Sequence, residues 1–438
     1  MPRHADWTDH LYRSLTNEED ARVCKAISDD ACREVPGNFL RQLGAQTFTG
    51  LGDRLANPKT TLAWLLQAMG APGLFLALIV PLREAGSLLP QLFIAGYLRQ
   101  LAVRKWVWVV GSALQAVAVA GYALVAWTLE GTIAGLAIVG LVALFSLARG
   151  LCSIASKDVL GKTIPKTRRG QLSGWKSSLS GVMAMGAGAM LLLTGGADGS
   201  LHLYTLWLLV AAALWLIASI IYSTIAEFPG ETSGGGNAWT HARQRLRLLV
   251  DDRPFRDFVT VRALAIGSGL SAPFVVSLAH GELGGGGWWL GVFIIVDGFA
   301  SMVSAPIWGR LADRSSRTVL RTAMGVTATL LAITIGLTFI ELSAVVAQVV
   351  YPALFFALGI AHSGVRLGRK TYLVDMAEGD QRTDYVAVSN SVIGVLLLVA
   401  GTITGALSLL SLPLALAVFA ICALTGMLLG HRLPEVSA

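Results

Sequence analysis

The chain has 438 residues, of which 54% are hydrophobic and only 14% are charged, and its mean hydropathy is +0.63. A soluble domain carries about 25% charged residues, so this balance excludes an ordinary soluble protein. Apolar runs of about 20 residues recur along the chain and predict helices that span a bilayer.

Residues 1–38 form a polar N-terminal segment without the apolar stretch of a cleavable signal peptide. Asn17-Glu-Glu-Asp20 and Ser28-Asp-Asp30 read as acid-rich helix starts. Trp7, Leu11 and Leu15 recur every four residues, so a short cytoplasmic helical cap is expected, with an apolar edge that can rest on the membrane surface. The first six crossings are predicted within residues 39–226. Crossing 1 begins near Phe39 and carries Asp53, Arg54 and Asn57 around Pro58. Proline removes a backbone donor and the nearby glycines loosen the helix, so a break is expected here. Broken backbone at membrane depth is tolerated where it lines a cavity or is buried in protein, which makes these three residues substrate-binding candidates. The alternative places Asp53 and Lys59 at the outer water interface.

Crossing 2 is predicted over Leu74–Leu98, and Glu84 lies twelve residues before Gly96. That spacing is about 18 Å of helix and puts the acid at mid-bilayer. An acid there costs about 2.5–3.5 kcal/mol even on the mildest scale, so it marks a pathway or a satisfied ion pair. Low-dielectric surroundings favour a neutral carboxyl, which makes Glu84 a proton-coupling candidate. Crossings 3 and 4 are predicted over Trp106–Leu129 and Thr132–Ala155, with Arg149 near the cytoplasmic end of the latter. Lys157–Arg169 reads as a basic loop. Crossing 5, Gly174–Leu193, carries small residues such as Gly181 and Gly188 that suit close helix packing. Crossing 6 follows over Leu203–Ile225.

Residues 227–254 join the halves. Ser233-Gly-Gly-Gly-Asn237 is a flexible linker. Trp239, Ala242, Leu246 and Leu249 then share one face, with Arg243, Arg245 and Arg247 around it, which predicts an interfacial helix in contact with lipid rather than nucleic acid. The second half, residues 255–431, is predicted to cross at Phe255–His280, Trp288–Leu311, Thr318–Ile340, Ser343–Val365, Ala387–Leu409 and Leu412–Leu429. Residues 432–438 form a cytoplasmic tail. Crossing 7 carries Arg262 and a second break signal, Gly267-Ser-Gly-Leu-Ser-Ala-Pro273. Asp297 in crossing 8 stands twelve residues before Gly309 and is the second proton-coupling candidate. His362 and Arg366 in crossing 10 complete the substrate-binding candidates. A histidine titrates near cytoplasmic pH, although a lone one at a helix end equally serves packing.

Between crossings 8 and 9 lies Trp308-Gly-Arg-Leu-Ala-Asp-Arg-Ser-Ser-Arg-Thr-Val-Leu320. Gly309 is expected to let two helices approach, and Asp313 to accept from donors at a neighbouring helix end. Arg310, Arg314, Arg317 and Arg321 are expected to hold the loop at the cytoplasmic headgroups. The element recurs at an offset of 213 residues, with Gly96, Leu98 and Arg104 falling on Gly309, Leu311 and Arg317. In the same register Glu84 falls on Asp297, Arg149 on His362 and Ser178 on Ser391, which indicates two similar halves. The first-half loop has Gln100 where the second has Asp313.

The Gly-x-Leu-Ala-Asp-Arg-x-x-Arg order resembles the signature loop of the major facilitator superfamily. The resemblance implies an all-α membrane protein of twelve transmembrane helices in two pseudo-symmetric six-helix halves. Gly96, Arg104, Gly309, Asp313, Arg314 and Arg317 then fall in its gating loops. It also implies alternating access around a central site lined by crossings 1, 4, 7 and 10, usually driven by protons. Arg149-Gly150 resembles an arginine found in proton-coupled members, whereas crossing 5 lacks the glycine–proline motif of many drug–proton antiporters. The expected partners are a small-molecule substrate, protons and membrane lipids. Export of amphipathic toxicants is one alternative, and a transporter-like receptor or lipid-handling protein without flux is another.

Lys and Arg concentrate in loops 2–3, 4–5, 8–9 and 10–11 and in the central segment, so both termini are expected on the cytoplasmic side of the inner membrane. The protein is expected to act as a monomer. The intramembrane charges Arg54, Arg83, Arg149 and Arg262 stand against Asp53, Glu84 and Asp297, a near balance that favours neither an anionic nor a cationic solute. No phosphate-binding loop, zinc pattern or serine elbow occurs, so no catalytic residue, metal site or cofactor is expected. Cys24, Cys32, Cys152 and Cys422 lack metal-ligand spacing and read as core thiols.

Overall fold

The computed structural model describes residues 8, 11–12, 14–15, 29–90, 94, 97–98, 100–194, 201–230, 232, 246–284, 286–312, 314–376 and 381–436. Among these the chain forms helices and no strands. The first half contains α1 (Asp29–Arg33), α2 (Val35–Leu55), α3 (Thr61–Ala68), α4 (Gly73–Leu88), α5 (Lys105–Thr128), α6 (Gly131–Thr163), α7 (Lys166–Thr194) and α8 (Leu201–Ser223). After α9 (Leu248–Asp251), the second half contains α10 (Arg253–Leu264), α11 (Gly267–Leu270), α12 (Ala272–Leu283), α13 (Gly287–Ala312), α14 (Ser316–Leu337), α15 (Ala344–Asp375), α16 (Gln381–Leu410) and α17 (Leu412–Leu429).

Ten helical spans of the described residues are long and apolar enough to cross a membrane, so this is a multi-pass integral membrane protein. The other two expected crossings are α2 with α3, broken at Asn57-Pro58, and the 16-residue α4. Leu193, Trp127, Ile220 and Ile421 are more than half exposed on the outer faces. Such rings of apolar side chains suit hydrocarbon, because each helix satisfies its own backbone hydrogen bonds.

In the first half, α5 packs along α6 and α8, α2 along α7 and α8, and α4 along α6. In the second, α14 packs along α15 and α17, and α13 along α15. The halves meet where α4 packs on α16 and α7 on α13. Both seams depend on missing side chains. A Cβ on Gly401 would collide with the Pro81 ring, and one on Gly188 would lie 3.1 Å from the Gly291 carbonyl. The close packing expected of crossing 5 is thus made at Gly188. A Cβ on Gly174, Gly181 or Gly186 would meet nothing within 4 Å among the described residues.

Several helices run past their apolar stretch. α6 continues to Thr163 and α7 starts at Lys166, so Lys157–Arg169 is two helix ends around Ile164 and Pro165 rather than a loop. α15 likewise reaches Asp375. Hydropathy marks where a helix leaves the hydrocarbon, whereas its hydrogen-bond ladder continues into water until a cap or proline stops it. Crossing 2 is interrupted rather than extended: α4 stops at Leu88, and Ile94, Tyr97 and Leu98 are helical again.

The α6 end is pinned by Glu227, whose side chain is fully buried and accepts from Lys162 Nζ at 2.9 Å. Glu227 also accepts from the backbone N–H groups of Arg104 and Lys105 at 2.9 and 2.7 Å. At the N-terminal segment, Tyr12 is buried edge-on against Phe39 at 5.4 Å, and Trp175 donates to the Leu15 carbonyl at 3.1 Å. Leu15 of the expected apolar edge packs on this cluster with Tyr12, whereas Leu11 is exposed.

Trp7, the acid-rich starts at 17–20 and Ser28, the linker 233–237, Trp239, Ala242, Arg243 and Arg245, Gly96 and Asp313 lie outside the described residues. Of the expected interfacial helix, the structure describes α9 and its flank. There Leu248 and Leu249 pack on the cluster around Phe255 and Phe258. Cys152 and Cys422 are free thiols, as expected, but Cys32 is disulfide-bonded.

Candidate functional site

The break in the first crossing builds the site, and its backbone is largely satisfied from within. Ala56 N–H bonds the Gly52 carbonyl at 2.9 Å and closes α2. The Asn57 carbonyl accepts from Leu62 and Thr60, and its Oδ1 accepts from Lys59 N–H at 2.9 Å. Pro58 needs no acceptor because it has no N–H. The expected second break is present between α10, α11 and α12, where Ser268 Oγ donates to the Ala265 carbonyl and lies 3.1 Å from His362 Nδ1.

Both breaks border one cavity of about 1010 Å³ between the halves. All nine substrate-binding and coupling candidates line it: Asp53, Arg54, Asn57, Glu84 and Arg149 from the first half, and Arg262, Asp297, His362 and Arg366 from the second. Lys59 lines it as well, so the outer-water placement of Asp53 and Lys59 does not hold. The wall is wider than crossings 1, 4, 7 and 10. α4, α7, α13 and α16 contribute Glu84, Lys176, Asp297 and Asn390.

Asp53 holds two guanidinium groups, accepting from Arg83 Nη2 at 2.8 Å and from Arg149 Nη1 at 2.5 and 2.7 Å. Arg83 is 8% exposed, and it also donates to the Ala56 carbonyl at 3.3 Å and lies 4.6 Å over the Phe145 ring. It therefore turns away from Glu84, as adjacent residues on a helix do. Glu84 is exposed to the cavity and carries no side-chain ion pair or hydrogen bond among the described residues. Asp297, by contrast, pairs with Arg54 at 3.5 Å across the two halves.

Arg262 is fastened to α16, donating to Ser389 Oγ at 2.6 Å and Asn390 Oδ1 at 2.8 Å. The remaining cations are uncommitted. Lys59, Lys176, Arg366 and Arg369 line the cavity without an ion pair among the described residues. Lys59 is within electrostatic range of Glu84, Asp297, Arg366 and Arg369, and Lys176 within range of Asp53 and Arg149.

This lining corrects the expected charge balance. Arg54, Arg83, Arg149 and Arg262 are joined by Lys59, Lys176, Arg366 and Arg369, against Asp53, Glu84 and Asp297 alone. Eight cations thus face three carboxylates. Sequence reading missed Lys176 and Arg369. The signal for Arg369 was its place three and seven residues after Arg366 and His362, on the same helix face. Lys176 carried no comparable signal, because a lysine near a helix end reads equally well as a headgroup contact.

The described loop candidates, Arg104, Gly309, Arg314 and Arg317, are not part of the cavity lining. Arg104 pairs with Asp158 at 2.9 Å and donates to the Leu98 and Leu101 carbonyls. Arg317 donates to the Leu433 carbonyl at 2.9 Å and pairs with Glu435 at 3.3 Å, and Arg321 contacts His431. Arg317 and Arg321 therefore bind residues 431–435. Arg314 is exposed beside them. Gly309 does not mark a close approach, since a Cβ there would meet nothing within 4 Å among the described residues.

The halves also meet beyond the first break, at residues that are not part of the cavity lining. Trp64 is fully buried, donates to Tyr204 Oη at 2.6 Å, and crosses the seam to meet His280 at 4.6 Å and Phe293 at 6.0 Å between ring centroids.

No family model matches the sequence, and no curated protein matches it either. Solved structures do resemble it. The nucleoside transporter NupG, as its D323A mutant, superposes with a TM-score of 0.69 at 11% identity, over 90% of this chain and 99% of that one. A D-xylose-proton symporter gives 0.67 at 12% identity, over 91% and 98%. A bacterial homologue of the iron transporter ferroportin, in an inward-facing state, gives 0.60 at 14% identity, over 91% and 98%. At such identities the likeness concerns the fold, and with the two broken crossings and the seams of α4 on α16 and α7 on α13 it establishes that this chain has the major facilitator fold.

Proposed function

We propose that the protein is a secondary transporter that moves a small solute across the inner membrane by alternating access, with protons as the coupling ion. The observation that carries this reading is the charge-lined cavity walled by both halves; we take the buried contact of Trp64 with His280 and Phe293 across the seam as its closed end. With both termini cytoplasmic, that end is the outer one and the conformation is inward-facing. Rocking of the halves about α4–α16 and α7–α13 exchanges which end is open. A charge-lined cavity suits a polar solute better than an amphipathic toxicant, whose apolar body gains nothing from it. Two of the neighbours are named for small polar solutes, a nucleoside and D-xylose, and the third for iron. Lipids are the other partners, and the protein acts as a monomer.

Glu84 is the coupling residue in this reading, because it faces the cavity unpaired whereas Asp297 is engaged by Arg54. A carboxyl that meets water from alternate sides can load and release a proton. The test is reconstitution in proteoliposomes with an internal pH dye. Wild type moves protons when solute is added, while Glu84→Gln loses accumulation and retains exchange between preloaded vesicles. Solute binding without flux refutes transport in favour of a receptor, and accumulation by Glu84→Gln removes the coupling role.

A further inference from the structure

We infer that the solute is a small organic dianion, held by its oxyanion groups at two cationic poles of the cavity. The inference rests on the transport reading and assigns its substrate class. The first pole surrounds Asp53, whose single carboxylate is shared by Arg83 and Arg149 while Lys176 stands nearby without an ion pair. That pole keeps two positive charges in excess. The second pole comprises Lys59, Arg366 and Arg369, for which Glu84 is the uncommitted counter-charge among the described residues. It too keeps two charges in excess before Arg262 is counted.

Cations at membrane depth are costly unless something compensates them. Four here have no protein partner among the described residues. A neutral solute leaves both poles uncompensated when the cavity closes, and a cation adds repulsion. A dianion places one group at each pole. The planar guanidinium forks of Arg149, Arg366 and Arg369 match carboxylate or phosphate oxygens through paired N–H donors. Asn57, Ser178 and Ser363 add neutral hydrogen-bonding groups for hydroxyls on the solute. Phe355 is the sole phenyl ring in the described lining.

Dicarboxylates and phosphate monoesters share this chemistry, and the test separates them. The purified full chain in lipid nanodiscs is melted with malate, glycerol 3-phosphate, inorganic phosphate, glycerol or choline. Malate or glycerol 3-phosphate raises the melting temperature, the effect shrinks with added salt, and glycerol and choline are inert. Arg366→Gln and Lys176→Gln each weaken dianion binding about tenfold, the loss expected for one charged hydrogen-bonding group. A second readout needs no ligand. Ser363→Cys reacts faster with an anionic methanethiosulfonate than with a cationic one, by at least about tenfold relative to the exposed reference Thr232→Cys, because the field of the cavity concentrates anions. The inference is overturned if neither dianion stabilises more than glycerol or choline, or if the reagent ratio at Ser363→Cys matches the reference. Dianion binding without flux leaves the substrate class standing and removes the transport reading. Flux of a neutral or cationic solute that dianions do not inhibit does the reverse.

Discussion

Asp53→Asn removes the one negative charge that holds two arginines in the cavity wall. At 2.8 Å and an effective dielectric of about 20, each attraction is about 6 kcal/mol before desolvation is counted. Removing one partner of a buried pair costs about 3–5 kcal/mol net. Arg83 stays almost fully buried and cannot recover water, whereas the side chains of Asp53 and Arg149 are 24% and 38% exposed. That mixture puts the expected loss near the lower end, about 3 kcal/mol. Asp297→Asn is the internal control. Its pair with Arg54 is longer, at 3.5 Å, and partly exposed on both sides, so the loss is about 1 kcal/mol or less. Denaturant unfolding in nanodiscs, followed by tryptophan fluorescence, measures both. Combining Asp53→Asn with Arg149→Gln should cost clearly less than the sum of the two single changes, since contacting residues couple. An unchanged midpoint for Asp53→Asn, or strict additivity in the pair, would refute the shared-carboxylate account. The same change adds one net positive charge to the cavity, so dianion binding should tighten even as the fold weakens.

Trp64→Ala removes a fully buried ring and its bond to Tyr204, for an expected loss of about 3–5 kcal/mol; a midpoint within error of wild type would show the closed end contributes little. Gly188→Leu drives a side chain against Ile295 and the Gly291 carbonyl, so it should prise α7 from α13 and speed labelling of His280→Cys by an impermeant reagent added outside. Unchanged labelling counts against this seam as an outer closure. Glu227→Ala strands two backbone N–H groups and leaves Lys162 Nζ its bond to the Ala102 carbonyl, at about 3 kcal/mol, and Glu227→Gln should restore only part of it. For topology, Glu282→Cys should react with that outside reagent in intact cells and Thr232→Cys should not; the opposite pattern inverts the orientation.

Apolar runs, the two proline-containing breaks and the repeat at 213 residues were legible in the chain because each depends on local properties: backbone hydrogen bonding in lipid, a missing N–H, and internal duplication. That Asp53, Arg54, Glu84 and Asp297 are carried by crossing segments followed from the same counting along helices. Their partners did not. Asp53 meets Arg83 and Arg149 across 30 and 96 residues, and Arg54 meets Asp297 across 243, distances at which spacing carries no information. The helix ends past the bilayer also escaped the hydropathy pattern, because hydropathy reports solvent and not hydrogen bonding. The net charge of the cavity was decided by tertiary structure alone. Lys59, Lys176 and Arg369 look like interfacial residues when counted along the chain, and it is the packing of two halves around one space that turns them inward. A field is the sum over all charges facing a volume, and the sequence does not say which charges those are.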